Sequence, residues 1–307
     1  MSWKTEKESG EIPILLPYRE MKTFVQGITG GTKLKHRDII DKMTLEEKAA
    51  FLSGKNVWQT RDYSRLGLPS IFCSDGPHGI RKQAGAGDHL GLNASLPATC
   101  FPTAATVANS WDEQLGEELG EALGEEAAAQ EVNVLLGPGL NMKRSPLCGR
   151  NFEYYSEDPV VGGRIAAAIT NGVQKHKGCG TTIKHFALNN QETNRMASNS
   201  IVSERALREI YLRTFEICIR ESAPAAVMSS YNLVNGEHAN NSKDIQTHVL
   251  RDEWGYEGAV MTDWYAVGGM IAAAGGRENK HPAGLASGCI HAGNDLYAGM
   301  EADFEEC

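Results

Sequence analysis

The sequence has no apolar run near the ~20 residues that cross a bilayer, so a membrane-spanning chain is not expected. It has no Cys-x-x-Cys pair. Its seven cysteines (73, 100, 148, 179, 218, 289 and 307) are scattered and odd in number, which makes a zinc ribbon or a disulfide framework a poor reading. Plain thiols in a reducing compartment are the expectation. There is no lysine- or arginine-rich cluster, and the formal net charge is −9, so nucleic acid, which wants a basic face, is not an expected partner. The charged start, Met1-Ser-Trp-Lys-Thr-Glu-Lys, lacks the apolar segment of a secretory signal, and a cytoplasmic location is expected. On that footing the sequons at Asn93 and Asn240 are chance matches. Gly85-Ala-Gly87 lacks the third glycine of a dinucleotide loop, and His78 and His89 have no ligand spacing to each other or to a cysteine. Neither a cofactor nor a metal is expected.

What is present is an alternation of short apolar runs with amphipathic helices. Residues 1–35 are aperiodic and read as an extended leader. Thr44-Leu-Glu-Glu47 is a capping box opening a helix that stops at Gly54. Strands are expected at Ser70–Ser74, Asn133–Gly137, Thr181–Phe186, Ala225–Tyr231 and Gly258–Asp263, with a last strand-like run ending near Leu296. Between them, Ser110 is expected to cap a helix whose face repeats at Trp111, Leu115, Leu119, Leu123 and Ala127. A second helix runs from about Pro159 to Gln174, and Ser203 caps a third with Leu207, Ile210, Tyr211, Ile217 and Cys218 on its apolar face. Strands separated by helices imply parallel βα units. The fold class is α/β, and the pattern suits a (β/α)8-type TIM-like barrel over residues 36–307, with its C-terminal end open to being incomplete. Residues 268–288, rich in Gly and Ala, show no pattern.

The reactive residues gather at one place in this scheme. Asp75, Lys184 with His185, Tyr231, and Asp263 with Trp264 all follow apolar β-runs, and that edge of a parallel sheet is where sites are built. Each also has a plainer reading. Asp263 can cap a following helix, Asp75-Gly-Pro is good turn chemistry, the Lys-His pair can be structural, and Arg150 can simply pair with Glu153. If Lys184 and His185 are to serve one ligand, the strand must bend, because neighbours on a strand point to opposite faces.

Five stretches, in order, carry a family resemblance: Ser74-Asp-Gly-Pro-His-Gly-Ile-Arg81, Gly149-Arg-Asn-Phe-Glu153 with Ser156-Glu-Asp-Pro159, Ile183-Lys-His-Phe186, Met228-Ser-Ser-Tyr-Asn232 and Val260-Met-Thr-Asp-Trp264. Met43-Thr-Leu-Glu-Glu-Lys48 and Ala292-Gly-Asn-Asp-Leu296 fit too. Over residues 36–300 the chain resembles the barrel domain of the β-glucosidases of glycoside hydrolase family 3. The resemblance implies a retaining exo-acting β-glycosidase, with Asp263 as the nucleophile that forms a glycosyl-enzyme. It implies that Asp75, Arg81, Arg150, Lys184 and His185 bond the hydroxyls of the nonreducing sugar. Tyr231 would stand beside the nucleophile, and Trp264 would line the subsite. The cationic cluster is expected to hold Asp263 ionised.

One element of the resemblance is missing. Retaining hydrolysis needs a second carboxyl as general acid/base, which in two-domain relatives comes from a following α/β domain. The single-domain N-acetylglucosaminidases of the family instead use an Asp-His dyad after the Lys-His strand, and here Ala187-Leu-Asn-Asn-Gln-Glu-Thr-Asn-Arg195 has no such His. The chain is therefore expected to be a piece of a longer enzyme, or to take the missing domain or a partner chain in trans. The expected ligands are β-glucosides or small oligosaccharides. Alternatives are a β-xylosidase or other family activity, a catalytically incomplete sugar-binding fragment, and a barrel aldolase with Lys184 as Schiff base.

Overall fold

The computed structural model describes residues 36–85, 87–88, 92–266 and 284–298. The leader expected at 1–35, His89, Cys307 and most of the unpatterned 268–288 segment lie outside the described residues. The chain divides into two compact units, Met1–Thr44 and Leu45–Cys307. The described part of the first is a single short helix, α1 (Arg37–Ile40).

Among the described residues of the second unit the α-helices are, in chain order, α2 (Leu45–Phe51), α3 (Ala104–Ala108), α4 (Glu113–Ala129), α5 (Pro159–Gln174), α6 (Glu204–Ala206), α7 (Arg213–Ser222) and α8 (Ala286–Ala292), and a wider helical stretch covers Asp244–Glu253. The strands are β1 (Cys73–Ser74), β2 (Val134–Leu135), β3 (Gly180–Phe186), β4 (Asn199–Ser200), β5 (Ala226–Ser229), β6 (Leu233–Val234), β7 (Glu237–His238) and β8 (Ala259–Thr262). β1, β2, β3, β5 and β8 form one sheet in that order, every pair parallel. Parallel neighbours need crossovers, and α4, α5, α7 and the wider helical stretch Asp244–Glu253 lie on the four connections that supply them. β3 and β5 are buried along their whole lengths, as strands covered on both faces must be.

The ladder continues beyond β8 through single-residue bridges. Met261 pairs with Leu296 and Ser53 with Tyr297, both parallel. Gly54 then pairs with Thr60, and Gln59 with Phe72 beside β1, both antiparallel. The expected α/β class thus appears as an arc of parallel barrel strands, and the gap between its ends is bridged by a short antiparallel arm at 54–60. The last strand-like run, near 294–296, sits where the alternation placed it.

α5 has the boundaries the sequence suggests, and its cap explains why. The Asp158 carboxylate accepts from the N–H groups of Val160 and Val161, and Pro159 occupies the first turn, where no N–H is needed. α4 departs from expectation. Its cap is Asp112, accepting from Leu115 N, while Ser110 bonds back to Val107 O at the end of α3. Trp111 takes a left-handed φ of 55° and stands 78% exposed. The buried face is Gly116, Gly120, Leu123, Gly124 and Ala127. A strict four-residue repeat drifts round a 3.6-residue helix, and it is the glycines that let α4 lie against α5. A Cβ on Gly120 would stand 2.2 Å from Ile169 O.

The third helix is interrupted. Ser203 caps it as expected, but a wide turn at Leu207–Tyr211 separates α6 from α7. A small sheet of β4, β6 and β7 was not anticipated, although its hairpin carries the strongest short-range signal known, an Asn-Gly pair. Asn235 and Gly236 both have positive φ, 51° and 96°.

Candidate active site

The C-terminal ends of the parallel strands deliver their side chains to one cavity of about 300 Å³. Asp75 follows β1, Lys184 and His185 lie at the end of β3, Tyr231 is two residues beyond β5, and Asp263 follows β8 directly. All of them line the cavity, together with Arg81, Arg150 and Trp264. Every site residue marked in the sequence is therefore present there. The bend required at Lys184-His185 is visible in the pairing: Lys184 faces Met228, the next paired residue is Phe186 opposite Ser229, and His185 is skipped. The peptide between Lys184 and His185 is cis.

One wall is a chain of ion pairs. The Lys184 ammonium, almost fully buried, donates to Asp75 Oδ1 at 2.9 Å and lies 3.4 Å from Glu153 Oε2. Arg81 bonds Asp75 Oδ2 at 3.2 Å, and the Arg150 Nε–H bonds Glu153 Oε1. A lysine buried this deeply must have anionic partners, and it has two. Burial works to raise both carboxyl pKa values, but the neighbouring cations prevail. Lys184, Arg81 and Arg150 bring Asp75 down to about 2, and Lys184 with Arg150 holds Glu153 below its usual range. The wall therefore presents several hydrogen-bond donors whose charge is partly offset, three cations against two carboxylates.

Asp263 faces this wall. Its Oδ1 accepts from the backbone N–H of Trp264 at 2.7 Å, while its Oδ2 is buried without a hydrogen-bond partner. Burial raises its pKa above the ordinary carboxylate value, against the pull of Arg150, Arg195, the Trp264 N–H and Lys184. The expectation that the cations hold it ionised needs that correction: they temper a desolvation effect that is larger than their own. Tyr231 stands beside it, its hydroxyl donating to Trp264 O at 2.6 Å, which pins the residue after Asp263. The Trp264 ring packs on Trp58 at 5.3 Å and anchors its indole N–H on Val57 O.

His185 Nε2 lies 3.8 Å from Asp263 Oδ2, beyond hydrogen-bond reach. Burial, with Arg150, Lys184 and Arg195 nearby, pushes the imidazole pKa well below its usual value, so the ring is neutral and the contact is not an ion pair. Asn141 bonds the backbone of His185 on both sides, to its N–H and its C=O.

Four contributors escaped the sequence reading. Trp58, in the arm at 54–60, lines the cavity with its ring packed against Trp264. Arg195 lines it too, its guanidinium 4.7 Å above the Tyr231 ring and its charge paired with Glu192. Glu153 was noted only as a partner of Arg150, and Tyr154, fully buried, bonds His185 Nδ1 at 3.0 Å. The strand-end rule reaches Arg195, since it lies in the loop leaving β3, but no local pattern points to Trp58. A wider cavity of about 710 Å³ adjoins the first, sharing Asp75, Arg81, Arg150 and Arg195 with it.

Among the described residues no group of three His, Cys, Asp or Glu is placed to hold a metal, and no helix is long and apolar enough to cross a membrane. Asn240, one of the two sequons, is wholly buried and donates to Ala266 O, so it is not open to a glycan in the folded chain.

Comparison with known proteins agrees with this geometry. The model of the glycosyl hydrolase family 3 N terminal domain matches residues 24–297. The chain is 51% identical over 236 residues to thermostable beta-glucosidase B of Acetivibrio thermocellus, covering 77% of this chain and 31% of the relative. It is 48% identical over 228 residues to an exo-alpha-(1->6)-L-arabinopyranosidase of Bifidobacterium longum, covering 74% and 30%. Among solved structures, beta-glucosidase 3B of Thermotoga neapolitana, in complex with alpha-D-glucose, superposes with a TM-score of 0.75 at 41% identity, covering 86% of this chain and 36% of that one. The chain thus spans about a third of the length of the relatives it matches. With a family match over nearly its whole length and a strand-end site of the kind described, this chain belongs to glycosyl hydrolase family 3 and corresponds to its N-terminal domain.

Proposed function

We propose that this chain is the nucleophile-bearing part of a retaining, exo-acting β-glycosidase of β-glucosidase type. The observation that carries the reading is Asp263 Oδ2: a carboxylate oxygen buried without a partner in a cavity otherwise lined by paired charges. What sets this oxygen apart from other buried polar atoms is that it belongs to a carboxylate on the wall of a cavity, where a ligand can reach it. In the proposed reaction Oδ2 attacks the anomeric carbon. The bond from that carbon to the aglycone oxygen breaks, its electron pair leaves on that oxygen, and an acid supplies the oxygen with a proton. Water then attacks the same carbon, gives up a proton to the conjugate base, and releases Asp263.

The other residues bind and orient. Asp75 accepts from sugar hydroxyls, while Arg81, Arg150, Lys184 and His185 donate to them, and Trp264 with Trp58 offers apolar faces to the ring. Because Lys184 and Arg150 are already balanced by Asp75 and Glu153, the donors do so without opposing the positive charge of an oxocarbenium-like transition state. Lys184 is a poor Schiff-base amine for the same reason: its two carboxylate partners raise its pKa and keep it protonated.

No general acid is in place among these residues. A carboxyl that donates near neutrality needs a raised pKa, and Asp75 and Glu153 are both lowered. We place the acid/base outside this chain, in keeping with relatives of which its matched residues cover 31%. The relatives, a beta-glucosidase and an exo-alpha-(1->6)-L-arabinopyranosidase, leave two sugars open, a β-glucoside and an α-L-arabinopyranoside.

The test uses the purified chain on two substrates. A dinitrophenyl β-glucoside needs no protonation to leave, so slow glycosylation of Asp263 is expected, with added azide releasing a β-glycosyl azide. A glucose disaccharide, whose leaving group needs the acid, is expected to be cleaved negligibly, since that help contributes roughly 10²–10⁴-fold. Robust disaccharide turnover would place the acid/base within the chain and overturn this division of labour. Comparing aryl β-glucoside with aryl α-L-arabinopyranoside selects the sugar.

A further inference from the structure

The hydrogen bond between Tyr154 and His185 has a direction, and the surrounding residues determine it. Glu192 Oε1 accepts a hydrogen bond from the Asn189 side-chain amide at 3.2 Å. A carboxylate is an acceptor only, so the NH2 group of Asn189 must face it. The same NH2 group lies 3.1 Å from the Tyr154 hydroxyl oxygen and donates its second hydrogen there. The amide oxygen of Asn189, turned away from both, is buried and makes no hydrogen bond, so the carboxylate holds the amide against its own oxygen's interest.

With its oxygen accepting from Asn189, the Tyr154 hydroxyl has its one proton to give, and His185 Nδ1 is 3.0 Å away. Burial keeps that phenol protonated by raising its pKa well above the usual value. Nδ1 must then offer its lone pair, which leaves the ring proton of the neutral imidazole on Nε2, the atom that faces Asp263 Oδ2 across 3.8 Å.

We infer that Tyr154, oriented by Asn189 and Glu192, is a positioning residue that locks His185 in the Nε2–H tautomer and so makes the imidazole a donor at the nucleophile's side of the cavity. Every link is buried or half-buried, and Tyr154, His185 and Asn189 are each at most 1% exposed, so no water competes for the ring nitrogen. Glu192 also pairs with Arg195, which lines the same cavity, so one carboxylate orients two of the cavity's donors. A ligand hydroxyl that bridges His185 and Asp263 from the cavity side is then offered an N–H by one and a bare oxygen by the other, and a hydroxyl accepts and donates at once. What the donor meets rests on the sugar-site reading above, whereas the tautomer does not.

The experiment reads the tautomer with no ligand present. The chain is labelled with 15N at histidine, and long-range proton–nitrogen spectra separate a protonated from a bare ring nitrogen, with His185 assigned by its disappearance in His185→Gln. Expected in the wild type is a bare Nδ1 and a protonated Nε2 at neutral pH. Asn189→Asp is the decisive variant. With either an ionised carboxylate or one sharing a proton with Glu192, position 189 presents an acceptor to Tyr154, the hydroxyl turns round, and the two ring nitrogens exchange roles. Tyr154→Phe removes the bias and averages them, and either variant alone tests the lock if the other does not fold. An Nδ1–H tautomer in the wild type overturns the inference, as does a His185 signal unchanged in a folded variant. A chain inactive on every glycoside, with His185 still Nε2–H, would fail the proposed function and leave this inference standing.

Discussion

Lys184→Met removes the ammonium at the centre of the charged wall and keeps most of the side-chain volume. The structure says what that leaves behind: Asp75 at 2.9 Å, with a third of its side chain exposed, and Glu153 at 3.4 Å, with 4% exposed. At an effective dielectric of about 20 each pair carries a gross attraction of roughly 5 kcal/mol, most of it cancelled by the cost of taking the ammonium out of water. The measurable loss comes from the anions left without a partner. Asp75 keeps Arg81 and can turn to solvent, so Glu153 dominates even with Arg150 still attached. Breaking a buried pair from one side costs about 3–5 kcal/mol, and the lower end applies here. The pH dependence has a definite sign. Glu153 has a lowered pKa in the folded wild type, so its contribution is present above the ordinary carboxylate range and lost as pH falls through the folded value. Without Lys184 the largest share of that contribution is gone while Arg150 keeps the rest, and the deficit should be largest at pH 7 and narrow below about pH 4, where the proton relieves the carboxylate. Urea unfolding of both chains at the two pH values measures it. A deficit under about 1 kcal/mol, or one equal at both pH values, would refute the claim that Lys184 is what compensates Glu153.

Other outcomes follow from the same structure. Asp263→Asn is expected to abolish glycoside turnover in the enzyme completed with its acid/base, by several orders of magnitude in kcat. Stability should hold or rise slightly, because a desolvated carboxylate is exchanged for an amide; a marked loss of stability would show that the charge has a structural role. Gly120→Ala is expected to destabilise by about 1–3 kcal/mol, since the new Cβ meets the Ile169 backbone at 2.2 Å, although alanine is otherwise the better helix residue. Gly149→Ala, whose Cβ would reach nothing nearer than 3.7 Å, serves as the control and should change thermal unfolding little.

How much of this was legible in the sequence depended on whether a signal was local. Asp158-Pro159 announces the start of α5 because capping needs only the residues next to it. β5 and β8 declare themselves by the apolar runs Ala226–Met228 and Ala259–Met261, and the reactive residues by lying at the ends of the strands. The face of α4 was misread because its stripe of large side chains looked decisive, whereas the packing partner demanded glycines, a property of α5 and not of α4 alone. Asn235-Gly236 was legible and went unread. Trp58 was not legible, since it reaches the cavity only because the arm at 54–60 pairs with residues beside β1 and after β8. The direction of the pKa shift at Asp263 was also beyond sequence, because nearby cations can be named from motifs but the depth of burial cannot.

The central claim, that Asp263 is the nucleophile, is tested most directly by covalent trapping. A dinitrophenyl 2-deoxy-2-fluoro-β-glucoside carries a leaving group that needs no acid, and its fluorine slows hydrolysis of the glycosyl-enzyme. Intact-mass measurement of the treated chain should show one added fluoroglucosyl group, and peptide mapping should place it on Asp263, with none on the Asp263→Asn chain. A label on Asp75, Glu153 or any other carboxylate would contradict the account.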